Sequence, residues 1–449
     1  MHFQEKLAAA RRAGAGVVVI RRPHEEVGHS LRELAELLTG MPEDREVSLV
    51  GIGMGAPQGL TGEAAQALEE AQVLFGAERM LEAVADYPGE KIPEYRAGPI
   101  AEAILGREES RFAVVLSGDP GFYSGAAQLR ARLEQVPYVQ VKTVCGVTSA
   151  AWLCARLGKS WQDAAILSLH GRSGNLAGAV RRYGKVFAIA GDNVGDLLEA
   201  LCACGLGSAR VWVGSHLSYE NESIVHGLAA ELRGRAFPAL SCLLVEYDGA
   251  GCEPVTPGVP DEAFVRGAVP MTKEEVRAVS LSKLRLTEDA VVYDVGAGTG
   301  SVSVEAALLA WRGRVYAIER KEEGCALIRE NCRRFGTQNV EVVEGSAPEA
   351  LEALPPPTHV FLGGTGGTMK KTICAVLEKN PKARVVLNAI ALETLSQVLD
   401  LARERSIQDL EMVQVSTARA RALGPYHMMN GGNPVFVCSF GGSPWQVQD

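Results

Sequence analysis

The chain has 449 residues, with 47% hydrophobic and 22% charged side chains, which suits two or three domains with ordinary packed cores. Its net charge of -9 excludes a general nucleic-acid binder, yet an anionic substrate needs only a local cluster of basic residues. No apolar run reaches the roughly 18 residues of a membrane span, and Gln4, Glu5 and Lys6 ahead of Leu7 do not make a signal peptide, so a cytoplasmic protein with no membrane partner is expected. The ten cysteines form no C-x-x-C pair, so they read as buried free thiols and not as a metal or disulfide framework.

Residues 1–45 read as a helix to Arg12, a short apolar strand over 17–20 and a helix around 31–38, too little to fold as a domain alone. The runs Glu5-Lys-Leu-Ala-Ala-Ala and Val17-Val-Val-Ile-Arg-Arg-Pro23 resemble the C-terminal end of precorrin-6A reductases. Without the rest of that domain, no reductase activity is implied. An interface element explains the same residues.

Strand-like runs follow at 47–50, 112–116, 139–144, 164–169, 185–190, 210–213 and 240–246, an α/β unit of two lobes over 46–248. Four of them end in loops suited to a ligand: Val50-Gly-Ile-Gly-Met-Gly-Ala-Pro57, Leu116-Ser-Gly-Asp-Pro-Gly-Phe-Tyr-Ser124, Cys145-Gly-Val-Thr-Ser149 and Ser168-Leu-His-Gly-Arg172. Open α/β sheets bind their ligands at the C-terminal ends of strands. Together the four segments resemble the tetrapyrrole (corrin and porphyrin) methylase family. That resemblance implies S-adenosylmethionine (SAM) between two lobes, near Gly53, at Gly118, Asp119 and Phe122, and at the Thr148-Ser149 loop. Cys145 and the run Gly214-Ser-His-Leu217 depart from the family pattern. Asp119 is also the residue type a turn before Pro120 calls for, and His170 suits a loop without any ligand.

The stretch 249–260 is rich in glycine and proline without periodicity and reads as a linker, so cutting it is expected to release two soluble pieces. Beyond it, over 261–449, strand-like runs at 291–295, 315–318, 340–343, 359–362 and 384–387 alternate with helical runs such as 322–335 and 392–405. This predicts a Rossmann-like parallel sheet, closed by an antiparallel pair at 411–415 and 435–440.

Within that sheet, Tyr293-Asp-Val-Gly-Ala-Gly-Thr-Gly-Ser301 joins a strand to a helix, and the next strand ends on Glu319. The alternate glycines lack the spacing of a dinucleotide fingerprint, whose third glycine falls where Ser301 stands. They suit SAM, which carries no phosphate. Glu319 would accept hydrogen bonds from ribose hydroxyls, as an acid after the second strand does in doubly wound sheets.

The stretch 267–440 also resembles the decarboxylating methylases of cobalamin synthesis, on Val269-Pro-Met-Thr-Lys-Glu-Glu-Val-Arg277, Ser282-Lys-Leu-Arg-Leu286, Glu344-Gly-Ser-Ala-Pro-Glu-Ala-Leu351, Phe361-Leu-Gly-Gly364 and Asn433-Pro-Val-Phe436. It implies Thr272 at the methionine end of SAM, Gly296, Ala297, Gly298, Thr299 and Gly300 along its backbone-facing side, Glu319 at the ribose, Ser346 and Ala347 at the adenine, and Gly363 beside the methyl.

Gly364, Lys273, Arg277, His427 and Asn433 are then expected to meet a flat, carboxylate-rich macrocycle. Lys283, Arg285, Lys370, Lys371, Arg419 and Arg421 extend the basic approach. A turn requirement accounts for Gly363 and Gly364 as well, and a solvated helix face for any one of the basic residues.

The two halves in this order resemble the bifunctional decarboxylating precorrin methyltransferases. The resemblance implies methylation at C5 by the first half and at C15 by the second, decarboxylation of the C12 acetate, one SAM per half, a precorrin or cobalt-precorrin substrate, and a homo-oligomer. No general acid or base is assigned. Two rival classes stay open: a SAM methyltransferase of another small molecule, and a SAM-binding protein without turnover.

Overall fold

The computed structural model describes residues 3–17, 44–170, 174–249, 257–364, 366–404 and 406–442. The strand expected at 17–20, apart from Val17, the helix expected around 31–38, and most of the 249–260 stretch lie outside these residues. The chain divides into two compact units, 1–51 with 61–145, and 52–60 with 146–449.

The first unit begins with helix α1 (Phe3–Arg12). It then carries β1 (Arg45–Gly51), α2 (Gly62–Glu70), β2 (Val73–Phe75), α3 (Glu78–Glu82), β3 (Glu90–Ile92), α4 (Ala97–Leu105), β4 (Arg111–Leu116), α5 (Ala126–Leu133) and β5 (Val139–Val144). Its five strands pair in parallel in the order β3-β2-β4-β1-β5. Val47, Leu49, Phe75, Phe112 and Val114 fill the core beneath α4 and α5, as expected for a parallel sheet whose strands are continuous apolar runs. The three-residue β2 and β3 are too short to show a period in the sequence.

The second unit holds two large sheets. The smaller comprises β6 (Ala165–Ser168), β7 (Lys185–Ile189), β8 (Arg210–Ser215), β9 (Ser223–Leu228) and β10 (Ser241–Glu246), in the order β6-β7-β10-β8-β9. Only β6 and β7 run parallel. Helices α6 (Ser149–Leu157), α7 (Leu176–Tyr183), α8 (Val194–Ala203) and α9 (Ala229–Leu232) accompany it.

The larger sheet is the predicted doubly wound one. It contains β11 (Val291–Val295), β12 (Arg314–Glu319), β13 (Val340–Glu344), β14 (His359–Leu362), β15 (Arg384–Ala389), β16 (Glu411–Val415) and β19 (Val435–Phe440), in the order β13-β12-β11-β14-β15-β19-β16. The first five are parallel, and β19 enters antiparallel between β15 and β16. Helices α10 (Glu274–Leu284), α11 (Ser301–Leu309), α12 (Glu322–Phe335), α13 (Met369–Lys379) and α14 (Leu392–Arg403) flank it.

Between the last two sheet strands the chain makes a hairpin of β17 (Ala418–Leu423) and β18 (Tyr426–Gly431). Every residue of both strands is exposed, so no buried face wrote an alternation into the sequence. No helix of the described residues is long and apolar enough to cross a membrane.

Candidate functional site

Strand order reverses between β11 and β14, the place where an open α/β sheet leaves a crevice for a ligand. A cavity of about 450 Å³ opens there, within the few hundred cubic ångströms of a small-molecule site. Thr272, Lys273, Gly296, Ala297, Gly298, Glu319, Ser346, Ala347, Gly363 and Gly364 all line it. They arrive from five separate strand ends or loops.

The alternate glycines after β11 are demanded by the backbone around them. Gly296, Gly298 and Gly300 have φ of 73°, 58° and 77°, a region that costs other residues strain. A Cβ on Gly296 would overlap the Gly364 backbone, one on Gly298 would lie 2.5 Å from the Pro270 carbonyl oxygen, and one on Gly300 would press on Ile328. The loop is therefore squeezed between the loop after β14 and the segment before α10. Gly364 differs, because a Cβ there meets nothing within 4 Å, and its open side faces the cavity.

Glu319 ends β12 with 7% of its surface exposed. One carboxylate oxygen accepts the Gly298 N–H at 2.9 Å and the other accepts the Lys321 N–H at 2.9 Å. Each oxygen keeps lone-pair capacity toward the cavity, since a carboxylate accepts about four hydrogen bonds. The acid thus fixes the glycine loop and still offers acceptors to a diol. On the neighbouring strand β11, Asp294 is 1% exposed, accepts from the Ser303 hydroxyl and has one oxygen without a partner. Burial pushes its carboxyl up to about 7.

Arg277 does not meet the cavity, which corrects its expected role at the substrate. It is fully buried, and its guanidinium donates to Glu305, to Asp261 at 3.2 Å, to the Thr272 carbonyl at 2.6 Å and to the Val259 carbonyl. It also lies 4.8 Å from the centroid of the Phe264 ring. An arginine with its donors spent in this way positions the Thr272 loop. Thr299 is likewise 0% exposed, and neither it nor Gly300 lines the cavity; their part is to shape the turn into α11.

His427 and Asn433 lie on and just after the exposed hairpin and do not line the cavity either. Lys283 pairs with Glu411 at 3.1 Å, Lys370 with Glu404 at 2.7 Å, and Arg419 with Glu275 at 2.7 Å and Glu274 at 3.1 Å. The basic rim comes instead from Lys273, Arg320 and Lys321. Asn388, at the end of β15, also lines the cavity and accepts from the Ser280 hydroxyl at 3.0 Å. Its only signal in the sequence was its place past an apolar run.

In the first half, Gly53, Thr148 and Ser149 belong to the second compact unit, whereas Gly118, Asp119 and Phe122 belong to the first. Gly53 has φ of 65°, and a Cβ on it would lie 2.9 Å from the Gly59 carbonyl oxygen. Thr148 caps α6, its hydroxyl accepting the Ala151 N–H at 3.1 Å. Asp119 accepts the Gly121 N–H at 2.7 Å, and its carbonyl accepts the Phe122 N–H at 2.9 Å, a closed turn. Gly118 precedes it with φ of 70°.

Two family models match successive parts of the chain. Residues 46–233 match the tetrapyrrole (corrin/porphyrin) methylases, and residues 262–440 match the precorrin methyltransferase domain. A Sinorhizobium precorrin-6Y C(5,15)-methyltransferase [decarboxylating] is 30% identical over 86% of this chain and 94% of its own length. A probable cobalt-precorrin-6B C(15)-methyltransferase (decarboxylating) from Pyrobaculum calidifontis is 44% identical over 40% of this chain and 94% of its own.

Among solved structures, a precorrin-6Y C5,15-methyltransferase from Geobacter metallireducens is 39% identical, with a TM-score of 0.40, over 42% of this chain and 98% of that one. Because that Sinorhizobium relative is 30% identical over 86% of the chain and both family models match it, the chain belongs to the precorrin-6Y C5,15-methyltransferase (decarboxylating) family.

Proposed function

We infer that the chain is a SAM-dependent methyltransferase that methylates a precorrin, or its cobalt form, at C5 and C15 and removes CO2 from the C12 acetate. The observation that carries this reading is the cavity at the reversal point of the large sheet, with an acceptor acid, an open glycine and a basic rim at one mouth. The residues fit SAM: Glu319 has acceptor capacity beyond its two backbone partners, and Gly364 leaves space where a side chain would stand.

When bound, SAM supplies an electrophilic methyl group. The chain's own part is then to hold and to shield. Glu319 would take the ribose hydroxyls, Thr272 the methionine end, and Ser346 and Ala347 the adenine. Lys273, Arg320 and Lys321 would take carboxylates of the macrocycle through charge-assisted hydrogen bonds. Glu319 is the sole acid among the described residues lining the cavity, and no histidine lines it. Its carboxylate already bonds backbone N–H groups, so positioning, more than proton abstraction, is the work of this site. When CO2 leaves, the electron pair of the broken carbon–carbon bond stays behind and is spread over the conjugated ring until a proton is taken up.

In this reading the second half methylates C15 and decarboxylates, the first half methylates C5, and each half holds one SAM. Gly53, Gly118, Asp119, Phe122, Thr148 and Ser149 are each proposed as contacts of the first-half cofactor. Incubation of the full chain with a precorrin and SAM, followed by mass spectrometry, tests the assignment. A product with two added methyl groups and one CO2 lost supports it; SAM binding without any product would make this a binding protein, and methylation confined to an unrelated acceptor would assign another substrate.

A further inference from the structure

The large sheet and the smaller mixed sheet fall in one compact unit, although the chain that joins them reads as a plain linker. Their contact is built as a protein interior. Trp311, at the end of α11, is 6% exposed and packs into the core of the smaller-sheet lobe with Leu176, Val180 and Leu206. Its ring stands edge-on to Tyr183, with centroids 5.5 Å apart. Trp311 thus completes a hydrophobic core that the other half of the chain supplies.

Two polar side chains bridge the same seam. Asn175 caps α7 by accepting the Gly178 N–H at 2.8 Å, and its amide donates to the Trp311 carbonyl at 3.2 Å and the Asn339 side chain at 3.3 Å. Asn339 in turn donates to the carbonyls of Ala307 and Ala310 that end α11, at 3.0 and 2.9 Å. Arg181 donates to the carbonyl of Cys204, the cap of α8, and to that of Phe335, the last residue of α12. One guanidinium therefore satisfies helix C-termini from both halves, where a cation is favoured by the helix dipoles. Gly336 ends α12 with φ of 62°, a conformation that favours glycine, and the Arg181 guanidinium lies against it.

We propose that the second-half methyltransferase is docked permanently on the 174–249 lobe through Trp311, Asn175 and Arg181, so that this lobe and the second half form one folding body whose integrity does not depend on the linker. This runs against the expectation of two pieces that separate when the linker is cut. Buried tryptophan anchors such as Trp311, with arginines hydrogen-bonded beside them, carry much of the energy of protein interfaces. Gly53, Thr148 and Ser149, proposed as contacts of the first SAM, belong to the same compact unit as the second site.

The test is a full-length chain with a protease site inserted within 251–256, cleaved after purification and run on gel filtration. The nicked chain is expected to elute as a single particle containing both pieces. Two separate folded peaks from the otherwise unaltered nicked chain would overturn the proposal. Trp311→Ala in the nicked chain should weaken association at least on the order of 30-fold; pieces that stay together as tightly as before also overturn it. Should Trp311→Ala fail to fold, Arg181→Met reads the same quantity without opening the apolar core.

Discussion

The two expected SAM sites differ in how their residues are assembled. In the second half, the ends of β11, β12, β13 and β14 lie side by side in one parallel sheet, so the loops that follow them converge on one cavity. In the first half the corresponding loops are shared between two compact units, with Gly118, Asp119 and Phe122 in one and Gly53, Thr148 and Ser149 in the other. A site built on a single sheet is legible from strand order. The first-half loops are legible only one by one, each closed by its own turn or cap.

The sharpest way to break the second site from beneath is Arg277→Met. Glu305, 2% exposed, would lose its ion-pair partner, and Asp261, also 2% exposed, would be left with Lys273 and Arg419 at 3.9 Å. Removing one member of a buried ion pair costs about 3–5 kcal/mol. Urea unfolding should show that loss, and Thr272 would lose the contact that holds its loop; an unchanged midpoint would mean that the network contributes nothing.

Gly296 and Gly364 sharpen the comparison inside one cavity. Gly296→Ala places a Cβ against backbone at a positive φ and should cost about 2–3 kcal/mol of stability. Gly364→Ala meets open space and should stay within about 0.5 kcal/mol of the parent while lowering affinity for the macrocycle. Equal stability losses in the two variants would show that both glycines serve the turn alone.

A smaller effect concerns pH. Asp294 has a folded value near 7 against an ordinary 3.8, so folding favours its neutral form. Its contribution is fully present below about pH 4 and is lost as pH rises through about 7. Asp294→Asn should flatten the stability profile between those values; a profile as steep as the parent's would place the titration elsewhere.

Much of this architecture was written in the sequence as runs of β-branched residues separated by helical periods. β11 to β15 appear where expected, and 322–335 forms a helix over the predicted residues. The antiparallel closure by β16 and β19 also appears. The hairpin β17–β18 did not show, because a fully exposed pair of strands needs no apolar face.

Arg277 was misplaced for a different reason. Its partners Asp261 and Glu305 lie 16 and 28 residues away, and no local pattern separates a cation spent on buried acids from one waiting for a substrate. Arg320 and Lys321 carry no pattern of their own beside Glu319, and Asn388 stands at the end of a strand whose composition speaks only of packing.

The central claim is that the cavity framed by Glu319, Gly298 and Thr272 holds SAM independently of a second site in the first half. Calorimetric titration of the full chain with S-adenosylhomocysteine, before and after Glu319→Ala, tests it most directly. The parent should bind two molecules per chain and the variant one, with the remaining isotherm unaltered. An isotherm that Glu319→Ala leaves unchanged would contradict the account.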